Sequence, residues 1–150
     1  MNSALLAPSY YTPYFSLLQS SVGISATEIA SVLYRTPTYS GGGHSLQFSF
    51  ATKLAHMHDG RLPIYDRLVS DFYAFRRPDS ALPIETRINM LGRFYEFLSR
   101  EYARVLEEEL LKGSIALFRE QLRPQRFTDQ KIVDSLLWAF ATQPKTAGSR

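Results

Sequence analysis

The sequence of 150 residues predicts an all-α protein, built as a compact multi-helix single domain. Three observations favour this fold class. Segments that alternate apolar and polar residues, as half-buried strands do, are scarce. Clusters of proline, glycine and serine divide the chain into lengths that are typical of helices. The longest segment, which starts near Pro83, repeats apolar residues with a 4–3 spacing over about six helical turns.

Four helices are predicted in the first half of the chain, after an irregular lead, and proline, glycine and capping residues define their ends. The second has the clearest start, because Ser25 and Glu28 have the spacing of a capping box, and Pro37 must follow its end. Three consecutive glycines at 41–43 are expected to form a hinge or turn. The irregular lead covers residues 1–13, and the four helices cover residues 14–21, 25–36, 45–57 and 63–75.

Three helices are predicted in the second half. The longest starts near Pro83, and Gly113 is expected to end it. Its apolar stripe predicts packing against neighbouring helices, and a coiled coil is the minor alternative because only about three heptads hold. A short helix then ends before Pro124, and Thr128 or Asp129 caps the last one. We expect the last helix to bury a stripe of apolar residues: Ile132, Val133, Leu136, Leu137 and Phe140. Trp138 is expected to be a core anchor, and the alternative is a platform on which a base stacks.

Composition restricts the classes of function. The chain has no cysteine, which excludes disulfides, thiolate zinc sites, iron–sulfur clusters and cysteine nucleophiles.

We expect one helical domain over residues 1–142 and a disordered tail over residues 143–150. The absence of a signal-like start and of a long apolar run predicts a cytoplasmic protein that does not enter a membrane. A net charge of +3 permits binding to nucleic acid.

Several motifs that would identify a chemistry are missing from the sequence. No G-K-[ST] follows the three glycines, so a P-loop is not expected, and no G-x-S-x-G motif supports a serine hydrolase. His56 and His58 are two residues apart and therefore lie on different faces of a helix. We expect no metal site and no cofactor.

Lys53 is the one charged residue in an apolar and small-residue run over residues 49–55. Residues three and four apart share a helix face, so Ser49, Thr52, Lys53 and His56 are expected to form one polar patch beside an apolar stripe. Burial disfavours the charged form of a lysine, and a neutral amine is a nucleophile that forms Schiff bases. The alternative is a lysine whose stem packs on the protein while its amine reaches solvent.

Asp66 is predicted to lie in the first turn of the helix that follows Lys53. A carboxylate there caps free amides and complements the helix dipole. It can also activate a nucleophile or stabilise developing positive charge. The two roles are compatible, and a helix–turn–helix of this length can bring Asp66 and Lys53 together.

Residues 49–69 resemble the core of the helix-hairpin-helix DNA glycosylases, including the 8-oxoguanine glycosylase type, as a short and divergent bacterial or phage member. That family carries Gly-hydrophobic-Gly-x-Lys-x-Ala, an insertion, and then hydrophobic-Asp-x-x-Val at a helix start. This chain reads Ser-Phe-Ala-Thr-Lys-Leu-Ala over residues 49–55 and Tyr-Asp-Arg-Leu-Val over residues 65–69. Two departures stand out: Ser49 and Ala51 replace the hairpin glycines, and the lysine-to-aspartate spacing is shorter than in the family.

The resemblance implies a helix-hairpin-helix fold and a DNA-repair activity, that of a DNA glycosylase/AP lyase. Lys53 falls on the family's Schiff-base lysine and Asp66 on its essential aspartate, so Lys53 would attack a flipped nucleotide with Asp66 assisting. The DNA partner would be bound through phosphates. The expected contacts are Ser49, Thr52, His56, Arg61, Arg67, Arg76 and Arg77. A second basic run is an alternative phosphate track: Arg119, Arg123, Arg126 and Lys131.

Two alternatives remain open. The first is a catalytically inactive helical module on the same scaffold, which binds DNA or a protein partner, and the lost hairpin glycines favour it. The second is a protein that does not touch nucleic acid and acts only through a protein partner.

Overall fold

The computed structural model describes residues 6–20, 23–40, 42–123 and 127–143, and within them it has seven α-helices and no strand. The all-α fold class is therefore confirmed. The helices are α1 (Pro8–Ser20), α2 (Ala26–Tyr34), α3 (Phe48–His58), α4 (Arg67–Phe72), α5 (Ile84–Glu107), α6 (Lys112–Leu122) and α7 (Asp129–Thr142). None of these helices is long and apolar enough to cross a membrane. Gly41, Arg126 and residues 144–150 of the predicted tail lie outside the described residues.

The hydrophobic core lies where α2, α3 and α5 meet, and α7 closes it from one side. Its centre is formed by aliphatic side chains from all four helices, including Leu33, Leu54, Leu98 and Val133, each with almost no exposed surface. Burying one such side chain stabilises the fold by roughly 1.5–3 kcal/mol. The 4–3 stripe of α5 is thus used for packing within the chain, as the sequence indicates.

Aromatic side chains form a second layer of the core. The Phe48 ring meets the edges of Tyr65 and Tyr95, with ring centroids 5.4 and 6.0 Å apart. The Tyr95 hydroxyl donates a hydrogen bond of 2.9 Å to the carbonyl of Pro63, and burial raises the pKa of Tyr95. This layer attaches the loop between α3 and α4 to α5.

The capping predictions for α2 and α7 are confirmed. The N–H of Glu28 donates to the Ser25 hydroxyl, and the Glu28 carboxylate accepts the Ser25 N–H at 2.8 Å, which completes the capping box. Thr128 caps α7, because its hydroxyl accepts the N–H of Lys131 at 3.1 Å. The hydroxyl of Thr128 also donates to the carbonyl of Gly60, which joins the start of α7 to the α3–α4 loop.

The glycine-rich segment before α3 is a turn, as predicted. The N–H of Thr38 donates to the carbonyl of Gly43 at 2.8 Å, and Gly42 adopts a positive φ of 82°. The buried Thr38 hydroxyl accepts the N–H of Ser45 at 2.9 Å, and the Thr38 carbonyl accepts the N–H of Ala7. Thr38 therefore joins the turn to Ser45, before α3, and to Ala7, before α1.

The first helix begins earlier than the sequence predicts, at Pro8 instead of residue 14. Proline at the first helical position loses no hydrogen bond, since that N–H has no partner within a helix. Pro13 lies inside α1 and removes one main-chain bond. Tyr10, almost fully buried, packs this segment against the core.

Helices α4 and α5 each end in a left-handed residue that is not glycine. Helix α5 ends at Glu107, and Glu109 takes the left-handed conformation, with its N–H bonded to Leu106 and the N–H of Leu110 bonded to Val105. This is a Schellman motif without its usual glycine. The prediction that Gly113 ends the long helix is therefore wrong, because Gly113 lies inside α6.

The end of α4 has the same geometry. Ala74 takes the left-handed conformation, the N–H of Ala74 bonds to Asp71, and the N–H of Phe75 bonds to Ser70. The helix therefore stops at Phe72, three residues before its predicted end. A left-handed alanine is unfavourable by roughly 1 kcal/mol.

We expect the same substitution to have opposite effects at two helical glycines. A Cβ on Gly92 would lie 2.7 Å from the Thr27 methyl, where α5 packs on α2, whereas a Cβ on Gly113 meets no atom within 4 Å. Gly113→Ala should raise the free energy of unfolding by up to about 1 kcal/mol through helix propensity. Gly92→Ala should lower it, because overpacking costs about 1–3 kcal/mol. Urea unfolding measures both.

Thr27→Ser is the control, because it removes the methyl group that a Cβ on Gly92 would meet. Gly92→Ala should be less destabilising in the Thr27→Ser background than alone. Equal stabilisation by both glycine substitutions would contradict the described packing of α2 on α5.

Candidate functional site

Helix α3 presents Lys53 at its outer side. Ala51, Leu54 and Ala55 point into the core, and Lys53 is exposed. Its Nζ lies 5.6 Å from the centroid of the Phe50 ring, which is a cation–π contact. The burial that would make this amine a stronger nucleophile is therefore absent, and the lysine reaches solvent along its aromatic neighbour.

The loop between α3 and α4 is fixed by two side chains of α3. The hydroxyl of Thr52, which has 0% exposed surface, accepts the N–H of Tyr65 at 3.0 Å and donates to the carbonyl of Ser49. The Nδ1 of His56 lies 2.6 Å from the carbonyl oxygen of Leu62. The predicted polar patch is thus divided. Thr52 and His56 bind the α3–α4 loop, whereas the side chains of Ser49 and Lys53 do not.

Asp66 is the N-cap of α4 and lies one residue outside the helix. Its Oδ1 accepts the N–H of Leu68 at 2.7 Å. The helix starts at Arg67, later than the predicted Pro63, because residues 63–65 are not helical and are bonded to α3 and α5. The capping role predicted for Asp66 is confirmed, and its second oxygen has no hydrogen-bond partner among the described residues.

Helix α7 brings four further side chains to the same place. Lys131, Asp134, Ser135 and Trp138 are spaced i, i+3, i+4 and i+7, so they share one face of α7. Helix α4 packs on α7, which sets this face beside Asp66. The expectation that Trp138 is a core anchor is wrong, because its side chain is 51% exposed, and Phe140 of the predicted buried stripe is 61% exposed.

The side chains from α3, α4 and α7 line one shallow cleft, which we call the lysine cleft. It has a volume of about 330 Å³, within the size range of small-molecule sites of roughly 300–1,000 Å³. Ile64 and Val69 form its apolar floor. The polar and aromatic residues that line it are Lys53, Asp66, Lys131, Asp134, Ser135 and Trp138.

One wall of the lysine cleft is held by a buried carboxylate. Asp134 accepts a hydrogen bond of 3.2 Å from the Tyr102 hydroxyl and pairs with the Nζ of Lys131 at 3.0 Å. Burial raises the pKa of Tyr102, and the negative charge of Asp134 raises it further, so this hydroxyl stays protonated and donates. Lys131 is therefore paired with Asp134, and Lys53 is the lysine of this cleft that has no ion pair among the described residues.

Lys53 and Asp66 share the cleft without contact. Within the part of the chain that the structure describes, no nitrogen–oxygen distance of 4.0 Å or less joins Lys53 to a carboxylate. The two groups therefore face the same space from α3 and from the start of α4. A ligand between them can be approached by the amine on one side and the carboxylate on the other.

The four predicted DNA-contacting arginines have different settings. Arg61 forms a bidentate pair with Asp59 at 2.8 Å, and the donated hydrogen bonds lower the pKa of Asp59 to about 2. Arg76 is exposed in the loop after α4. Arg67 and Arg77 line a second cleft, which also has Ser49 and Asp66 on its walls.

The second basic run is used mainly within the chain. Arg119 pairs with Asp129 at 2.6 Å and donates to the carbonyl of Phe127, which ties α6 to the start of α7. Arg123 ends α6 in the left-handed conformation and is exposed. Among the described residues, no group of three or more histidine, aspartate or glutamate side chains is arranged to hold a metal ion.

The sequence prediction of this site did not include Asp134 and Ser135 of α7, although their spacing was a signal for them. The spacing of Lys131, Asp134, Ser135 and Trp138 identifies one polar and aromatic face, opposite the buried Ile132 and Val133. A tryptophan on that polar face is expected to be at least partly exposed.

Comparison of the chain with models of protein families, with curated proteins and with solved structures finds no match.

We expect the Tyr102–Asp134 pair to behave as a coupled unit. Asp134→Ala leaves the buried Tyr102 hydroxyl without its acceptor, which should lower the free energy of unfolding by about 1–3 kcal/mol. Tyr102→Phe removes the unsatisfied hydroxyl, so the double variant should be more stable than the sum of the single effects predicts. Urea unfolding of the four proteins measures the coupling, and strict additivity would contradict the hydrogen bond.

Proposed function

We propose that this protein binds DNA and acts as a glycosylase/AP lyase at the lysine cleft, with Lys53 as nucleophile and Asp66 assisting. One observation carries the proposal: Lys53 and Asp66, the pair indicated by the pattern of residues 49–69, line the same cleft. The exposed indole of Trp138 lies in that cleft with them. An amine, a carboxylate and an aromatic face are the groups that this chemistry needs.

The reaction has two steps. The neutral amine of Lys53 attacks C1′ of the sugar, the glycosidic bond breaks, and the base leaves with the bonding electron pair. The nitrogen then loses a proton, the C1′–O4′ bond of the sugar ring breaks, and O4′ takes up a proton, which gives the protonated imine. Abstraction of a C2′ proton and β-elimination then break the C3′–O bond, and the 3′-phosphate leaves with the bonding electrons. Asp66 faces the forming iminium from the far side of the cleft, where a carboxylate stabilises positive charge.

Trp138 supports recognition of an unstacked nucleotide. Stacking of a base on an aromatic side chain contributes about 1–3 kcal/mol for any base. Its exposed indole replaces part of the stacking that a base loses on leaving the duplex, which costs a few kcal/mol. Arg67 and Arg76 are exposed, and they supply positive charge that binds the strand.

The helix-hairpin-helix scaffold belongs to the same proposal. Ser49 and Ala51 lie in the first turn of α3, so a tight glycine hairpin does not form there. The turn that precedes α3 contains Gly42, whose φ is positive. We assign the role of the family's hairpin to that turn, which leads into the helix that carries Lys53.

The alternative is a DNA-binding module without chemistry. Its support is that Lys53 is exposed and leans on Phe50, while one oxygen of Asp66 is already used to cap α4. Under this alternative, the lysine cleft holds a nucleotide but breaks no bond.

Borohydride trapping on duplex DNA with an abasic site separates the two functions. The wild-type protein should give a covalent adduct, because borohydride reduces the imine to a stable amine. Lys53→Ala should lose the adduct, whereas Lys112→Ala should keep it, since Lys112 is an exposed lysine of α6 outside the lysine cleft. Denaturing gel electrophoresis measures the trapped fraction.

The other outcomes are equally informative. An adduct that persists in Lys53→Ala would overturn the assignment of the nucleophile. No adduct and no base release, with DNA binding intact and weakened by salt, would select the non-enzymatic module. A flat binding isotherm with DNA at low salt would remove both functions and favour a protein partner.

A further inference from the structure

A second cleft on the molecule is lined by three arginines, and we call it the arginine cleft. It has a volume of about 410 Å³ and lies between the start of α3, the start of α4, the loop after α4 and the first turns of α5. Its polar lining consists of Arg67, Arg77, Arg87, Gln47, Ser49 and Asp66. Asp66 also lines the lysine cleft, so the two clefts are neighbours.

Positive charge dominates the arginine cleft. Among the described residues, no carboxylate oxygen lies within 4.0 Å of a nitrogen of Arg77 or Arg87. Arg67 pairs with Asp71 only loosely, at 3.6 Å across the helix surface. Such an exposed pair contributes little and is easily replaced by a ligand. Three arginines against the single charge of Asp66 leave an excess of two positive charges on the lining.

Among the three arginines, Arg87 gives the strongest indication of an anion-binding site. It is half-buried on the first turns of α5, and its Nε is buried without a hydrogen-bond partner among the described residues. A guanidinium is costly to remove from water unless an anion compensates for it. The part of Arg87 that reaches the cleft therefore lacks the compensation that folded chains usually provide for a half-buried charge.

We propose that the arginine cleft binds a phosphate monoester group. Guanidinium forks match the oxygens of phosphate and bind them in pairs. A monoester presents three terminal oxygens and close to two negative charges at neutral pH, which matches three arginines and the excess of two charges. An internal phosphodiester has one charge and two such oxygens, and it fits the lining less well.

The identity of the monoester follows from the neighbouring cleft. This step rests on the proposed function: if the lysine cleft holds a nucleotide, the monoester is the terminal phosphate of a DNA strand. The protein would then engage DNA ends or the phosphorylated margin of a gap next to the nucleotide. A small phosphorylated molecule has the same chemistry and is the other source.

Two probes distinguish the sources. The first is a pair of single-stranded oligonucleotides that differ only in a 5′-terminal phosphate, with a matching pair for the 3′ end, measured by fluorescence anisotropy. The second is glycerol 3-phosphate, measured by isothermal titration calorimetry. We expect the phosphate to tighten oligonucleotide binding about tenfold at one end. Glycerol 3-phosphate should bind weakly and compete with the phosphorylated strand.

Substitutions connect the preference to the cleft. Arg77→Gln and Arg87→Gln should abolish the preference for the phosphorylated strand. Arg100→Gln should retain it, because Arg100 is an exposed arginine on the same helix as Arg87 and does not line the cleft. Arg77 lies in an exposed loop, so its variant tests the site even if Arg87→Gln fails to fold.

The outcomes separate this proposal from the proposed function. Equal binding of all oligonucleotides, with no binding of glycerol 3-phosphate, would overturn the phosphate site and leave DNA binding standing. A preference that survives both Arg77→Gln and Arg87→Gln would also overturn it. Binding of glycerol 3-phosphate that is lost in those variants, with no binding of any oligonucleotide, would support the phosphate site and overturn the DNA function.

Discussion

The geometry of both clefts depends on one buried hydrogen bond, from the N–H of Tyr65 to the hydroxyl of Thr52. Each partner is the chain neighbour of a site residue, since Thr52 precedes Lys53 and Tyr65 precedes Asp66. The bond therefore sets the distance between the two groups that face the lysine cleft. Because it is fully enclosed, water cannot replace either partner, and its loss would leave a polar group unsatisfied in the core.

Asp66 lines both clefts, so its carboxylate affects the structure and the charge of each. Through its Oδ1 it fixes the start of α4, and with it the position of Arg67. Its charge lies on the walls of both clefts. A ligand that changes the surroundings of Asp66 in one cleft therefore changes the electrostatic potential in the other, so occupancy of the two clefts is expected to be linked.

Local signals were sufficient for much of the fold. The pairs Ser25–Glu28 and Thr128–Lys131 interact within a few residues, so the sequence predicts the starts of α2 and α7 correctly. The ends of α4 and α5 were missed, because the left-handed residues that follow them are Ala74 and Glu109 and not the glycine that usually marks such an end. The polar face of α7 was readable from its spacing. The role of Arg87 could not be predicted from the sequence, because only the packing of α5 brings it to Arg67 and Arg77. The resemblance to the glycosylases stays a prediction.

The exposed position of Trp138 has a practical consequence. The chain contains one tryptophan, so its indole emission comes from a single place, the edge of the lysine cleft. Any molecule that enters the cleft alters the solvent around that indole, and the protein therefore carries an intrinsic optical reporter of occupancy. Titrations can be followed on the unlabelled chain, without attaching a dye that would itself disturb so shallow a surface.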